Sequence, residues 1–301
     1  MVKIALLLTC IASGFLLKQT TLFDQRSPLV LNNLIVYFFI PVLTLYHIPK
    51  IEFRFELIWL SITPFIVYLF SFLFFRIFGK HFELDHQTEG ALIITSGIGS
   101  ISFVGFPVFE ILYGGKGLAL GIILSLAGTL IVFNTLGIST GLYYANKEAH
   151  YRGILVRILT FPPLLVFLLA LGINFTGTAI PESMDDLLFK LSAPFSVLAL
   201  LAIGMQIDLN IDLNFLKTLL IGQFYKLLLA PLIIYIFMWH IIGLNNLTAK
   251  ICLLGAAIGS MNTISIVAAQ LGLNPKLSAL MPAIGIPVSI PILFIIDFLI
   301  Q

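Results

Sequence analysis

Two glycine- and serine-rich interruptions break long apolar segments at matching places in the two halves of the chain. They are GSISFVGFP at residues 99–107 and GSMNTISIV at residues 259–267. An unpaired backbone N–H or C=O in hydrocarbon costs several kcal/mol, so irregular backbone at membrane depth survives only where protein covers it or where it lines a cavity. A pair of breaks at corresponding positions therefore predicts a substrate site between two structural repeats.

The composition places the chain in a membrane. Hydrophobic residues make up 59% of its 301 residues and charged residues 10%, against about 25% charged residues in soluble domains. A spanning helix needs about 20 apolar residues, so there is room for roughly ten spans in a multi-pass protein of the cell membrane, the inner membrane in a bacterium. The predicted spans are 3–18, 28–47, 57–78, 88–113, 117–144, 153–173, 186–206, 215–242, 247–272 and 276–299.

Several functional classes are not expected from the sequence. The formal net charge of +2 is small and dispersed, which argues against nucleic acid as a partner. His81 and His86 lack the spacing of zinc ligands, so neither a metal nor another cofactor is predicted. No motif joins His240, Cys10 and Cys252 into a catalytic group, and no nucleotide-binding loop is present. An enzyme is therefore not expected.

The two halves resemble each other. The tripeptide IGS occurs at residues 98–100 and again at 258–260, each time between two apolar half-segments. One membrane domain with repeats at 1–146 and 152–301 is expected, and a repeat of five spans inverts the second copy. The predicted fold is an all-α membrane protein of ten transmembrane helices in two inverted five-helix repeats. Helices 4 and 9 would be broken and would cross near the midplane.

Five local patterns, in order along nearly the whole chain, resemble the auxin efflux carrier family. They are LNNLIVYFFIP at 31–41, GFP at 105–107, PESMDDLLFKLSAPFSVLALLAIGMQ at 181–206, KLLLAP at 226–231 and VSIP at 288–291. The resemblance is to bacterial-type members and, more distantly, to sodium-coupled bile acid transporters. It implies ten helices, a scaffold part, and a transport part with broken, crossing fourth and ninth helices.

The chain departs from that family at two positions of the implied site. Ser100 stands where the family commonly has asparagine, and Gly259 where it commonly has proline. The substrate of the family members therefore cannot be transferred to this chain.

A helix broken at mid-membrane exposes N–H groups at the start of its second half, where the helix dipole favours anions. The second halves are predicted to begin near residues 103–107 and 263–265. The alternative is that the small polar residues there serve close helix packing. The predicted substrate-binding residues are Ser100, Ser102, Phe103, Gly105, Pro107, Asn134, Lys226, Gly259, Ser260, Asn262 and Thr263.

Lys226 is the most informative charge. It lies about eleven residues into its span, roughly 16 Å deep, close to the bilayer centre. A cation there costs from about 2.5 kcal/mol upward and usually faces a cavity or a partner. Lys226 could attract an anionic substrate or change protonation during transport. Alternatively it is a structural lysine that bonds helix carbonyls or extends to the surface. For Asn134 the alternative is a helix-to-helix hydrogen bond.

The predicted function is secondary transport of a small organic anion, a carboxylate, by alternating access. Coupling to protons or to the membrane potential is favoured, because no acidic residue lies within the breaks to hold sodium. A gated anion channel and a sodium-coupled symporter of the same fold remain as alternatives. The expected partners are the anion, a coupling proton or other ion and the lipid bilayer. A homodimer is left open.

Overall fold

The computed structural model describes residues 2–20, 23, 27–147, 156, 159–207 and 213–300. Within these ranges the regular structure is helical, and the β-type pairing is confined to one isolated bridge. The helices are α1 (Val2–Lys18), α2 (Ser27–Lys50), α3 (Phe55–Phe78), α4 (His86–Gly97), α5 (Ile101–Tyr144), α6 (Pro162–Thr176), α7 (Glu182–Gln206), α8 (Leu216–Ile242), α9 (Leu247–Ala256), α10 (Asn262–Gln270) and α11 (Pro275–Leu299).

Six of the described helices are long and apolar enough to cross a membrane, namely α2, α3, α5, α7, α8 and α11. Shorter apolar helices lie in α1, α6 and α9. The expectation of an all-helical multi-pass membrane protein is confirmed. Part of the predicted span 153–173 lies outside the described residues, as do residues 148–151 between the two predicted repeats.

Glycine interrupts the long helix α5. Gly114 has φ 66° and ψ −157°, which is not helical, so α5 consists of residues 101–113 and 115–144 on either side of it. A positive φ of this kind favours glycine because a Cβ would clash with the neighbouring backbone. The fourth predicted span ends at residue 113, directly before this break.

Three prolines inside helices share one local arrangement. Pro41, Pro107 and Pro231 each follow a π-helical turn by two residues, at Ile35–Phe39, Ile101–Gly105 and Tyr225–Leu229. Proline has no N–H to donate, and its ring clashes with the carbonyl four residues earlier. A wider turn relieves that clash and lets the helix continue through the proline.

The described residues form two compact units whose segments alternate along the chain. The first comprises Met1–Arg54, Ser102–Ile122 and Leu155–Ile207. Within it, α1 packs closely on α7. A Cβ added at Gly14 would lie 2.2 Å from the Leu201 carbonyl oxygen, and one at Gly204 would lie 2.1 Å from that of Ile11. Both glycines are therefore required for the contact.

The second unit comprises Phe55–Ile101, Ile123–Ile154 and Asp208–Gln301. It contains a buried polar cluster that joins α3, α4 and α5. The Glu89 carboxylate, 7% exposed, accepts hydrogen bonds from the Tyr144 hydroxyl and from the Arg76 guanidinium, the latter at 3.3 Å. These bonds fix the first turn of α4, and α4 leads directly to the first break.

Candidate functional site

The first break separates α4 from α5. α4 ends at Gly97, Ile98 has an extended backbone with φ −123° and ψ 118°, and helical structure resumes at Ile101. The second half-helix therefore begins earlier than the predicted 103–107. The reason is that Pro107 is accommodated within the helix by a π-helical turn, so the helix need not start at it.

The second break separates α9 from α10. α9 ends at Ala256, Met261 is extended with φ −74° and ψ 128°, and α10 begins at Asn262. This start is one residue before the predicted 263–265. Both interruptions of the helical backbone are thus present, and each is only a few residues long.

Backbone hydrogen bonds join the two breaks directly. The N–H of Ser100 donates to the carbonyl of Gly259 at 2.9 Å, and the N–H of Met261 donates to the carbonyl of Ile98 at 3.0 Å. They form the antiparallel bridge between Gly99 and Ser260. Each break supplies polar backbone groups that the other needs, which meets the requirement that buried backbone groups in a membrane be paired within the protein.

Glycines allow the close approach at the crossing. A Cβ added at Gly259 would lie 2.4 Å from the carbonyl carbon of Gly285 in α11, so no side chain fits there. One added at Gly99 would lie 3.2 Å from the Ile258 carbonyl oxygen and 3.2 Å from the Nζ of Lys226. The crossing is therefore packed tightly on α11, and Lys226 lies beside the first break.

Two serine hydroxyls at the crossing have no partner. Ser100 is 2% exposed and Ser260 is fully buried. Neither Oγ atom forms a hydrogen bond within the part of the chain that the structure describes. A buried hydroxyl without a partner forfeits about 1–3 kcal/mol, and most buried polar groups in proteins are satisfied. Neither serine lines the cavity of Lys226, so a contact of these hydroxyls with a substrate stays a prediction.

Lys226 adds a buried ionisable side chain to the same unit. Its side chain is 1% exposed, and among the described residues its ammonium has neither a hydrogen-bond acceptor nor an acidic partner. A lysine bonded to helix carbonyls or extended to the surface is thus not what the structure shows. Lys226 instead lines a small cavity together with Gly97, Gly99, Gly255 and other residues of α3, α5 and α9.

Helix dipoles also act at this crossing. α5 and α10 begin at the breaks with positive dipole ends, whereas α4 and α9 end there with negative ones. These partial charges offset one another, so the ammonium of Lys226 decides the net sign. The cavity volume is about 10 Å³, room for about one water molecule.

Comparison with known proteins finds a matching family model. Residues 1–149 match the family model described as membrane transport protein. The matched residues make up just under half of the chain. The match confirms the resemblance to the auxin efflux carrier family that the sequence patterns indicated.

Proteins named as transporters are similar to this chain over most of its length. An uncharacterized transporter of Methanocaldococcus jannaschii is 26% identical over 212 residues, 68% of each chain. An uncharacterized transporter of Escherichia coli is 24% identical over 230 residues, 73% of this chain and 72% of its own. One of Methanothermobacter thermautotrophicus is 22% identical, with 75% and 74% covered. Together with the family match, they support a transporter.

The predicted site residues are divided between the two units of the structure. Ser100, Asn134, Lys226, Gly259, Ser260, Asn262 and Thr263 belong to the second unit, and Ser102, Phe103, Gly105 and Pro107 to the first. In the first unit, Ser102 and Phe103 are half-buried, whereas Gly105 and Pro107 are buried. All four lie within helix α5 rather than in the break, so their role in binding stays a prediction.

Three predicted residues of the second unit are less directly placed at the crossing. Asn262 is half-buried and Thr263 exposed, both in the first turn of α10. Asn134 is 4% exposed, donates from Nδ2 to the Leu130 carbonyl at 2.9 Å within its own helix, and does not line the cavity of Lys226. Its substrate contact stays a prediction.

Two polar residues of this unit that line the cavity were not predicted. Thr63 and Thr129 line the cavity of Lys226. Gln223 donates from Nε2 to the Met281 carbonyl at 2.8 Å, while its buried Oε1 has no donor among the described residues. The sequence places Gln223 one helical turn before Lys226, but no local pattern distinguishes the two threonines from those that bond their own helix.

Proposed function

We propose that this protein is a secondary carrier that moves a small organic anion, most simply a carboxylate, by alternating access. The observation that carries the proposal is the combination at the crossover of two buried hydroxyls without partners and a buried ammonium without a counter-charge. A carboxylate offers acceptors to both kinds of donor and a negative charge to the ammonium. The family match and the transporter names of its relatives support transport.

The proposed architecture has ten transmembrane helices as two inverted five-helix repeats, at 1–146 and 152–301, in one membrane domain. Breaks at 98–100 and at 257–261 occur at corresponding places in the two halves, which supports it. So does a glycine with positive φ after each second half-helix, Gly114 at 66° and Gly272 at 80°. In a bacterium the protein would lie in the inner membrane.

The proposed binding groups are the hydroxyls of Ser100 and Ser260 and the ammonium of Lys226. Gly259 permits the close packing that holds them, and Asn262 and Thr263 add polar groups at the start of α10. The cavity beside Lys226 has room for about one water molecule. A carboxylate therefore binds only when the helices around it separate, as alternating access requires.

A thermal-shift screen of the purified full-length protein tests the anion site. The panel contains acetate, lactate, malonate, succinate and benzoate, with choline and glucose as a cation and a neutral compound. We expect at least one carboxylate to raise the melting temperature and choline and glucose to leave it unchanged. Stabilisation by choline or glucose alone would contradict an anion site.

Counterflow separates the carrier from the alternatives of the same fold. Proteoliposomes are loaded with an excess of the unlabelled carboxylate, and entry of the labelled compound is followed. A carrier shows faster entry when the inside is loaded, whereas a gated channel shows no such stimulation. Uptake that requires a sodium gradient would favour the sodium-coupled symporter.

A further inference from the structure

Among the described residues, Lys226 is the only ionisable residue that lines its cavity. The other lining residues are apolar or small, apart from the hydroxyls of Thr63 and Thr129. Both hydroxyls already bond their own helices, to Trp59 at 2.7 Å and to Leu124 at 3.2 Å. The cavity therefore holds no carboxylate that could balance the ammonium.

Ionisable groups on the neighbouring helices lie away from the cavity. Within the second unit they are Glu56, Tyr68, Arg76, His86 and Glu89 on α3 and α4, and Tyr143, Tyr144, Lys250 and Cys252 on α5 and α9. On α11 they are Lys276 and Asp297, and neither lines the cavity. On α8 itself they are Lys217, Tyr225, Tyr235 and His240.

The acidic groups among these have partners of their own. Glu89 is bonded to Arg76 and Tyr144, and Glu56 accepts from Asn246 at 2.7 Å. Asp297, near the end of α11, also has a partner. The hydroxyls of Tyr68 and Tyr225 donate to backbone carbonyls. Within the described residues, Lys226 therefore lacks a balancing charge when no anion is bound.

Because this counter-charge is missing, the net charge of the site differs between the anion-bound and the empty state. With a monovalent anion at the crossover, the ammonium and the carboxylate neutralise each other. When the anion leaves, a lone ammonium remains in the membrane interior, where an unpaired charge is strongly disfavoured. Loss of the proton from Nζ to water would remove the charge, and lysine can do this whereas arginine cannot.

We propose that Lys226 couples the carrier to protons, so that one proton moves with each monovalent anion in the same direction. On the entry side the Nζ lone pair takes a proton from water, and the resulting ammonium binds the carboxylate. After the site opens to the other side, the anion leaves and the ammonium returns its proton to water there. Lys226 is thereby restored, and the cycle moves no net charge. The inference rests on the proposed function.

The test uses the full-length protein in proteoliposomes, with radiolabelled lactate as the anion and protein-free liposomes as the blank. A pH gradient alone should drive lactate uphill in the wild type, with a pyranine signal of one proton per lactate. A potassium–valinomycin potential alone should not drive it. Uptake that follows the potential or a sodium gradient, and ignores the pH gradient, would overturn the inference even if no variant folds.

Variants of Lys226 separate binding from coupling. Lys226→Arg keeps the charge but cannot release the proton, so lactate exchange should remain measurable while uptake driven by the pH gradient falls at least about tenfold. Lys226→Met should lose both. Lys250→Arg and Lys250→Met, on α9 but outside the cavity, are matched controls that should keep both.

The outcomes distinguish the two proposals. If the wild type carries lactate by exchange, and Lys226→Arg still moves one proton per lactate, the coupling role of Lys226 is wrong and the carrier assignment stands. If neither lactate nor any other carboxylate of the screen binds the wild type, the proposed function fails and this inference fails with it.

Discussion

The backbone N–H of Ser100 donates a 2.9 Å hydrogen bond to the carbonyl oxygen of Gly259. These residues are far apart in sequence, yet the bond joins the first break directly to the second. Because the main-chain groups satisfy each other, the side chain of Ser100 is not needed to hold the break together. Its hydroxyl, like that of Ser260, is left for another partner.

The two unpartnered serines should affect binding more than stability. In Ser100→Ala and Ser260→Ala no protein hydrogen bond is lost, so the free energy of unfolding should change by less than about 0.5 kcal/mol. The Kd of a stabilising carboxylate should rise at least about tenfold, since hydrogen bonds to charged groups contribute about 1.5–3 kcal/mol. Thermal unfolding with and without the carboxylate measures both.

Ser278→Ala is the control for these variants. Its buried hydroxyl donates to the Leu273 carbonyl at 2.8 Å, so its loss should cost about 1 kcal/mol of stability and leave the affinity intact. Unchanged affinity in both Ser100→Ala and Ser260→Ala would show that the hydroxyls do not bind the anion.

Substitution of Gly259 should disturb the crossing itself. In Gly259→Ala the new Cβ would lie 2.4 Å from the Gly285 carbonyl carbon, and overpacking of this kind costs about 1–3 kcal/mol. We expect a lower melting temperature and loss of counterflow. Gly172→Ala, in α6 with nothing within 4 Å of the new Cβ, should instead be neutral or stabilising by about 0.5–1 kcal/mol. Equal behaviour of the two variants would contradict the close packing.

Removal of the Tyr144 hydroxyl should weaken the polar cluster at the start of α4. In Tyr144→Phe the buried Glu89 carboxylate loses one of its two donors, at a cost of about 1.5–3 kcal/mol in unfolding free energy. Tyr143→Phe is the matched control, because that side chain is 64% exposed. Chemical or thermal unfolding compares them, and similar stabilities for both variants would argue against the cluster.

Replacement of the Asn174 amide should loosen the contact between α6 and the end of α2. Asn174 donates from Nδ2 to the carbonyls of Pro49 and Ile51, both at 2.8 Å, and of Ile48 at 3.2 Å. Asn174→Asp places an acceptor against these acceptors. It should therefore cost more stability than Asn174→Ala, which we expect to lose about 1–3 kcal/mol. The order of the two melting temperatures is the measurement.

The sequence predicts the breaks well because glycine and serine inside an apolar segment have few structural alternatives in a membrane. The residues at which the helices resume after the breaks are predicted less well. Pro107 suggested a late start for the helix after the first break, but the π-helical turn at Ile101–Gly105 accommodates that proline. Ser102, Phe103 and Gly105 therefore lie in helix, an outcome that depends on a local hydrogen-bond shift rather than on composition.

The groups around Lys226 show a different limit. Its depth within one span follows from counting residues, and the buried position agrees with that count. Which side chains share its cavity depends on how four helices pack, and single-helix patterns do not contain that information. Thr63 and Thr129 were therefore not predicted.

The backbone bridge between the two breaks determines which substitutions the crossing can tolerate. Backbone hydrogen bonds hold the crossing together, so the side chains at positions 100 and 260 are not required to maintain it. Under the proposed function, substitutions at these two positions should alter substrate recognition while the backbone bridge is kept. A designer seeking altered selectivity would begin there and leave the glycines alone.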